Sequence, residues 1–277
     1  MKRLIVIAGP TAVGKTACAV QLAQELCTEI VSCDSRQFYR EMRIGVARPT
    51  DEELAAVPHH FIACRSVTEP YNIYDYEQDA CRVIKALFET HDTVLAVGGS
   101  GLYIDALLNG VSRMPNPTIE LRANLQRMSL EEKRAQLKLL DPDYYERVDL
   151  RNPVRLQRAL EVCHMTGRPY SEVISEVGNQ KSKTRTWETE VRVMQMDRNQ
   201  LRSRIDQRVD KMMQEGLLDE VHSLLPYRQL NTLNTVGYRE LFSVFDGTEK
   251  VEHAVDMIKL NTWHYARKQM TWMRRYM

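Results

Sequence analysis

Apolar positions along the chain follow two periods that alternate. Leu4-Ile5-Val6-Ile7-Ala8 is an unbroken, largely β-branched run, the pattern of a strand covered on both faces in a parallel sheet. Ala19, Leu22, Ala23 and Leu26 then recur at i, i+3, i+4 and i+7, which predicts an amphipathic helix after Lys15. Further strands are expected at residues 30–33, 61–63 and 93–97, separated by helical or turn-rich sequence, and this alternation is that of an α/β core. After Gly110 the character changes. Pro115 and Pro117 interrupt the chain, and residues 119–177 are charged, helix-favouring and nearly free of strand signal. A helical insertion is expected over residues 115–186, between a first core part at 1–114 and a returning part at 187–277. Its last stretch, 179–186, carries Lys181, Lys183 and Arg185 with no acid and reads as a mobile basic loop. Alternation at 191–196 predicts a strand that rejoins the sheet. Leu201, Ile205, Val209, Met212 and Met213 then form one stripe stopped at Gly216, with Arg198, Arg202, Arg204, Arg208 and Lys211 on the opposite surface.

Composition narrows the class without deciding it. A chain of 277 residues with 43% hydrophobic content buries a sizeable core, and a net charge of +1 says nothing of local basic patches. Six cysteines without a CxxC pair point to neither a zinc module nor a disulfide framework. No apolar run is long enough for a signal segment or a membrane span, so a cytoplasmic protein with no membrane partner is expected.

The strongest local signal is Gly9-Pro10-Thr11-Ala12-Val13-Gly14-Lys15-Thr16, a GxxxxGK[ST] phosphate loop in its required setting between strand and helix. The glycines let backbone amides and the helix N-terminus face an anion, Lys15 adds a point charge, and the Thr16 hydroxyl can hold Mg²⁺. The fold expected is therefore a P-loop NTPase-like core with a parallel central sheet flanked by helices. The loop does not say which diphosphate or triphosphate binds, since kinases, ATPases and GTPases share it. Most of those place an aspartate after an apolar strand, whereas residues 95–97 here run into Gly98-Gly99-Ser100-Gly101-Leu102-Tyr103.

Asp34-Ser35-Arg36-Gln37, followed by Ile44-Gly45-Val46-Ala47-Arg48-Pro49-Thr50, adds a second motif. With the phosphate loop, the Gly98 to Tyr103 segment, Asn152 to Glu161, Thr235-Val236-Gly237-Tyr238-Arg239-Glu240 and Ala266 to Arg274, the chain resembles the bacterial tRNA dimethylallyltransferase family over essentially its whole length. The resemblance implies that residues Gly9 to Thr16 and Arg208 hold the diphosphate of dimethylallyl diphosphate. It also implies that Asp34 is the general base and that Ser100 keeps a hydroxyl able to touch the diphosphate or the target nucleotide. On pattern alone, Asp34 reads first as a turn or cap residue, and Ser100 has a second reading as a turn residue. The partner implied is tRNA, with the adenosine 3′ of the anticodon (position 37) flipped out of the stack to reach the donor. Asp34, Ser35, Arg36, Gln37, Ser100, Arg122, Gln157, Arg158, Ala159, Leu160, Glu161, Thr235, Gly237, Tyr238, Arg239, Arg267, Gln269, Trp272 and Arg274 would line the RNA path of a monomeric enzyme. Trp263, Tyr265, Trp272 and Tyr276 interleave with cations in the last helix, which fits stacking of splayed bases and equally a solvated face packed by its aromatics. Trp263, Val46 and Arg48 depart from the family's usual Arg, Thr and Lys.

Rival readings are a P-loop kinase of a nucleotide or metabolite, a prenyltransferase of free adenine nucleotides, and an RNA-binding switch that uses nucleotide only as ligand. If the basic segments grip a single-stranded loop, log affinity for tRNA falls against log salt with a slope of about 0.7 per phosphate neutralised. A salt titration of tRNA binding checks this, and a flat dependence would remove the basic-patch argument.

Overall fold

A computed structural model describes residues 1–111, 114, 116–180 and 185–277. The break expected at Pro115 and most of the basic loop, residues 181–184, lie outside the described residues. Two compact units form. One comprises Met1–Leu108 with Arg185–Met277, the other Asn109–Thr184.

The first unit opens with β1 (Arg3–Ala8), α1 (Lys15–Glu25), β2 (Ile30–Ser32), α2 (Asp51–Ala56), β3 (His59–His60), α3 (Ile73–Thr90), β4 (Thr93–Gly98) and α4 (Gly101–Asn109). The second holds α5 (Ile119–Arg127), α6 (Leu130–Leu140), α7 (Pro142–Tyr145), α8 (Pro153–Thr166) and α9 (Tyr170–Gln180). The chain then returns as β5 (Glu188–Val193), α10 (Arg198–Gln214), α11 (Leu217–Ser223), α12 (Tyr238–Phe245) and α13 (Val251–Met273). Among the described residues the sheet runs β3-β2-β4-β1-β5, all pairs parallel. β1 and β4, its central strands, are buried on both faces, as their continuous apolar runs require.

Strand register decides where the loops emerge. Ala8 pairs with Gly98 and Ser32 with Val97, so three strands end level with one another. Their loops, Gly9 to Thr16, Cys33 to Gln37 and Gly99 to Ser100, therefore leave the sheet along one carboxyl edge, where open α/β sheets bind ligands. Beneath that edge Phe38 lies within 5.6 Å, centroid to centroid, of the rings of Tyr71, Tyr76 and Tyr103. The Tyr76 hydroxyl donates to the Ser32 carbonyl at 3.0 Å and so fixes the end of β2, from which Asp34 projects.

Several expectations shift. The third strand is His59–His60 rather than 61–63, because Phe61 and Ala63 have φ of 65° and 49°, left-handed values that no strand accommodates. Phe61 instead packs on Phe38 and Tyr76. The last strand spans Glu188–Val193 rather than 191–196; its first half, Glu188 to Glu190, carries no apolar position to mark it. Leu26, expected in the first helical stripe, is the exposed C-cap of α1. Asn179 and Gln180 end α9. Arg185, expected in the mobile loop, donates to Glu77 Oε1 at 2.7 Å and to the Ala106 carbonyl at 3.0 Å.

In the second unit Leu125, Leu137, Leu156, Ala159 and Leu160 make a separate core. Asn152 caps α8, with its side chain accepting from Arg155 N at 3.2 Å and a proline at the first turn. No described helix is long and apolar enough to cross a membrane.

A Cβ on Gly98 would lie 2.5 Å from the Cys33 carbonyl oxygen, a backbone atom just past the end of β2. Gly98→Ala is therefore expected to destabilise the protein by about 1–3 kcal/mol through overpacking, read as a fall in thermal midpoint. An unchanged midpoint would show that the β2–β4 edge is not tightly packed.

Candidate active site

The phosphate loop is shaped by two left-handed residues, Ala12 (φ 66°) and Gly14 (φ 101°), the kind of backbone from which anion-binding nests are built. Lys15 folds back so that Nζ donates to the Pro10 carbonyl at 2.7 Å. Burial pulls its pKa down to about 8, with Asp34 opposing and Arg208 reinforcing that shift. Arg208, from α10, donates to Thr11 Oγ1 at 3.1 Å. Burial lowers its pKa too, while Asp34 and Glu53 pull the other way. Arg204, one turn earlier, reaches the Val13 carbonyl at 3.4 Å.

These groups line one cavity of about 850 Å³ together with Asp34, Ser35, Arg36, Gln37, Thr16 and Lys211. Arg204, Arg208 and Lys211 are spaced four and three apart along α10, so one face of that helix adds a basic stripe to the loop. At the other side of the loop Asp34 Oδ1 accepts from Arg36 N at 2.9 Å. That bond makes the turn expected of an Asp-Ser pair and leaves Oδ2 without a hydrogen-bond donor among the described residues. Turn residue and cavity acid are thus the same residue. Ser100, buried, accepts from Ser35 N at 3.2 Å and bonds the Ser35 hydroxyl at 3.2 Å, tying the β4 loop to the residue after Asp34.

α13 closes the arrangement. Gln269 Oε1 accepts from Thr11 N at 2.8 Å while its Nε2 donates to the Gly99 carbonyl at 2.8 Å. A Cβ on Gly99 would lie 2.3 Å from that Nε2, so the approach needs glycine. The far wall is the loop from Arg43 to Ala47, pinned by Glu220 of α11, whose carboxylate accepts from the amides of Arg43, Ile44 and Gly45 and from the Tyr238 hydroxyl. Gln37 Nε2 donates to the Ala47 carbonyl at 3.0 Å from the other side. Chemically, the cavity offers cations and amides for a diphosphate beside a carboxylate able to take a proton.

Comparison with known proteins decides the family. The sequence model described as IPP transferase matches residues 37–276. The chain belongs to that family. It is 46% identical to a tRNA dimethylallyltransferase of Flavobacterium johnsoniae, covering 99% of this chain and 91% of the relative. It is 45% identical to tRNA dimethylallyltransferase 1 of Bacteroides thetaiotaomicron, covering 99% and 89%. Among solved structures it resembles the full-length tRNA isopentenylpyrophosphate transferase of Bacillus halodurans, with 32% identity, TM-score 0.70 and coverage of 99% and 87%. It also resembles a eukaryotic dimethylallyltransferase captured acting on tRNA, with 26% identity, TM-score 0.82 and coverage of 99% and 70%.

Within this IPP transferase the residues expected on the RNA path separate by burial. Ala159 and Leu160 are fully buried in the second unit's core. A run of five helical residues cannot all face one ligand, so the expectation for these two is corrected. Glu161 is 4% exposed; it holds Arg122 at 3.5 Å, Arg158 at 3.1 Å and the Gln157 amide at 3.2 Å, so it aims the cations rather than facing RNA. Tyr238 is fully buried with its hydroxyl spent on Glu220, and both ends of the Gln269 amide are spent on the chain itself; these two are braces. Trp272 is half-buried against Gly101. Arg239, Arg267 and Arg274 are exposed, as RNA contact requires, and Thr235 and Gly237 line the cavity. Trp263 is buried with Val13, Leu201 and Ile205, and the Arg198 and Arg202 guanidinium groups lie 5.4 and 5.8 Å from its ring centre. Sequence reading missed Glu220, whose local pattern is only that of a helical acid.

Lys15 yields a test with two opposite signs. The folded chain loses the Lys15 proton near 8 and the unfolded chain near the ordinary 10.5, so between those values the unfolded state binds more protons and the free protein gains stability from this group as pH rises. Pyrophosphate needs the ammonium, so its affinity falls over the same window. Melting curves with and without pyrophosphate, from about pH 7 to about pH 10, are expected to show the ligand-induced rise in Tm shrinking above about pH 8. A constant rise would place Lys15 outside the anion site.

Proposed function

We propose that this chain transfers the dimethylallyl group of dimethylallyl diphosphate to N6 of the adenosine 3′ of the anticodon, position 37, in tRNA. The observation that carries the reading is the meeting in one cavity of a phosphate loop and Asp34, in a chain of the IPP transferase family.

The geometry supports each part of the reaction. Backbone amides of the loop, Lys15 and Arg208 receive the diphosphate, and the Lys15 ammonium leaves the Pro10 carbonyl for the anion. Thr16 lines the same cavity at the start of α1; its hydroxyl suits Mg²⁺, which accepts one or two protein oxygens when phosphates fill the rest of its shell. Bound there, the ion would offset charge on the departing diphosphate. The adenine N6 lone pair is delocalised into its ring, so attack on C1 of the donor is helped by proton removal, and Asp34 is the acceptor beside the loop. The C1–O bond breaks with its electron pair leaving on the diphosphate, N6 bonds to C1, and the N6 proton passes to the carboxylate. Ser100 acts through Ser35, setting the turn that carries Asp34.

A stacked base cannot bring N6 into such a cavity, so the target adenosine enters unstacked. Arg36 lines the cavity, Arg239, Arg267 and Arg274 are exposed, and the Arg122–Glu161–Arg158 cluster offers charge in the second unit. These supply phosphate contacts of the kind that dominate nucleic-acid affinity. The reading is of a monomeric, cytoplasmic enzyme.

Unmodified tRNA incubated with the protein, Mg²⁺ and dimethylallyl diphosphate is expected to yield an adenosine heavier by one prenyl unit on mass analysis of its nucleosides. ATP in place of the donor is expected to leave the RNA unchanged. Asp34→Ala is expected to abolish transfer while tRNA affinity stays within a few-fold. Phosphate release from ATP without RNA modification would favour a kinase, and near-normal turnover of Asp34→Ala would remove that residue from the chemistry.

A further inference from the structure

The charged lining of the cavity serves the diphosphate and the proton, but neither serves the carbon that moves. As the C1–O bond stretches, positive charge spreads over C1 and C3 of the allylic group before N6 has bonded to it. Aliphatic walls do nothing for a cation, whereas the face of an aromatic ring attracts one. Of the described residues that line the cavity, Tyr265 alone brings a phenyl or indole ring; the apolar lining is otherwise aliphatic, from residues such as Ile62, Val97, Val209, Met212 and Ile258.

Tyr265 is placed by α13. Ile258, Thr262, Tyr265 and Gln269 all line the cavity at spacings of four, three and four, which is one stripe of a helix. Gln269, one turn on, is fixed at both ends to Thr11 and Gly99, so the stripe cannot rotate away. The Tyr265 hydroxyl is within reach of the Ser100 and Gln269 side chains, and the Asp34 charge acts on it. The ring thereby sits beside the residue that grips the diphosphate loop and the one that sets the Asp34 turn. Burial and Asp34 push its phenol up to about 12, so it stays neutral at physiological pH. The side chain remains 40% exposed, and among the described residues its ring neither pairs with another aromatic nor lies beneath a cation.

We propose that the face of the Tyr265 ring stabilises the allylic cation of the donor during transfer, an inference that rests on the prenyl-transfer reading of the same cavity. The ring forms no bond and gives up no electron. The leaving electron pair goes to the diphosphate, the N6 lone pair makes the new C–N bond, and the proton goes to Asp34.

The test is the single-turnover rate of prenyl transfer to tRNA, enzyme in excess, for the wild type, Tyr265→Phe, Tyr265→Leu and chains carrying mono-, di- and trifluorinated phenylalanine at 265. Fluorination drains the ring face of negative potential while keeping its size, so it separates electronics from packing. Tyr265→Phe, which loses only the hydroxyl and keeps the ring, is expected within about 3-fold of wild type and Tyr265→Leu roughly 10-fold or more below it. The logarithm of the rate is expected to fall with each added fluorine at unchanged Kd for tRNA and donor. A rate indifferent to fluorine, or a Leu variant as fast as Phe, overturns the role of the ring. A tRNA Kd that weakens with fluorination at constant rate overturns it in favour of base stacking. A wild type with no prenyl transfer at all overturns the functional reading itself and this inference with it.

Discussion

The arrangement above the sheet hangs on one buried amide. Gln269 accepts from the phosphate loop at Thr11 and donates to the β4 loop at Gly99. A primary amide is the side chain that can do both in one plane, with a donor on one corner and an acceptor on the other. A carboxylate there would face the Gly99 carbonyl with like partial charge, and an apolar residue would leave a buried N–H and a buried C=O unpaired, at about 1–3 kcal/mol each. Because Ile258, Thr262 and Tyr265 share one stripe of α13 with Gln269, these two bonds set where they meet the cavity. It also accounts for the missing side chain at Gly99, where the helix comes too close for a Cβ.

Around that brace the charges are arranged for a ligand rather than for the protein alone. Lys15 and Arg208 both have their charged forms disfavoured by burial, and Asp34 offsets that for both. Removing a cation from water without full pairing costs free energy that a structural site would avoid. In the proposed reaction a diphosphate would return it, since the loop amides are fixed dipoles along the cavity that Lys15 and Arg208 also line. Such fixed dipoles need no reorganisation during reaction. The Lys15 bond to Pro10 keeps the ammonium hydrogen-bonded until then.

Features set by neighbouring residues were legible in the sequence. β1, the phosphate loop, β4 and the helical character of residues 119–177 follow from runs and spacings of a few positions. What was illegible is long-range or split by helix geometry. Phe61 looks like a strand residue and is instead drawn into an aromatic cluster by Phe38 and Tyr76, with a left-handed backbone. Ala159 and Leu160 belong to a run that resembles one RNA-facing motif, yet helix periodicity turns them inward, while Arg158 stays partly exposed and Glu161, itself buried, pairs with it. Glu220 collects three amides from residues 43–45, a partnership across the sequence that no local pattern announces. Tyr238 sits in a motif that resembles an RNA contact, but its hydroxyl serves Glu220.

The last helix shows why composition misleads about such surfaces. Aromatics interleaved with cations from Lys259 to Arg275 read either as a nucleic-acid face or as a solvated face packed by its aromatics, and α13 divides them three ways. Trp263, Ala266 and Met273 are buried, and the exposed Arg198 and Arg202 lie over the Trp263 ring. Tyr265 and Gln269 turn to the cavity. Arg267, Lys268 and Arg274 are left on the exposed side. A helix advances about 100° per residue, so neighbours in sequence are assigned to core, chemistry and partner in turn. The composition of the segment is what those three demands look like when superimposed, and only the direction of each Cα–Cβ bond separates them again.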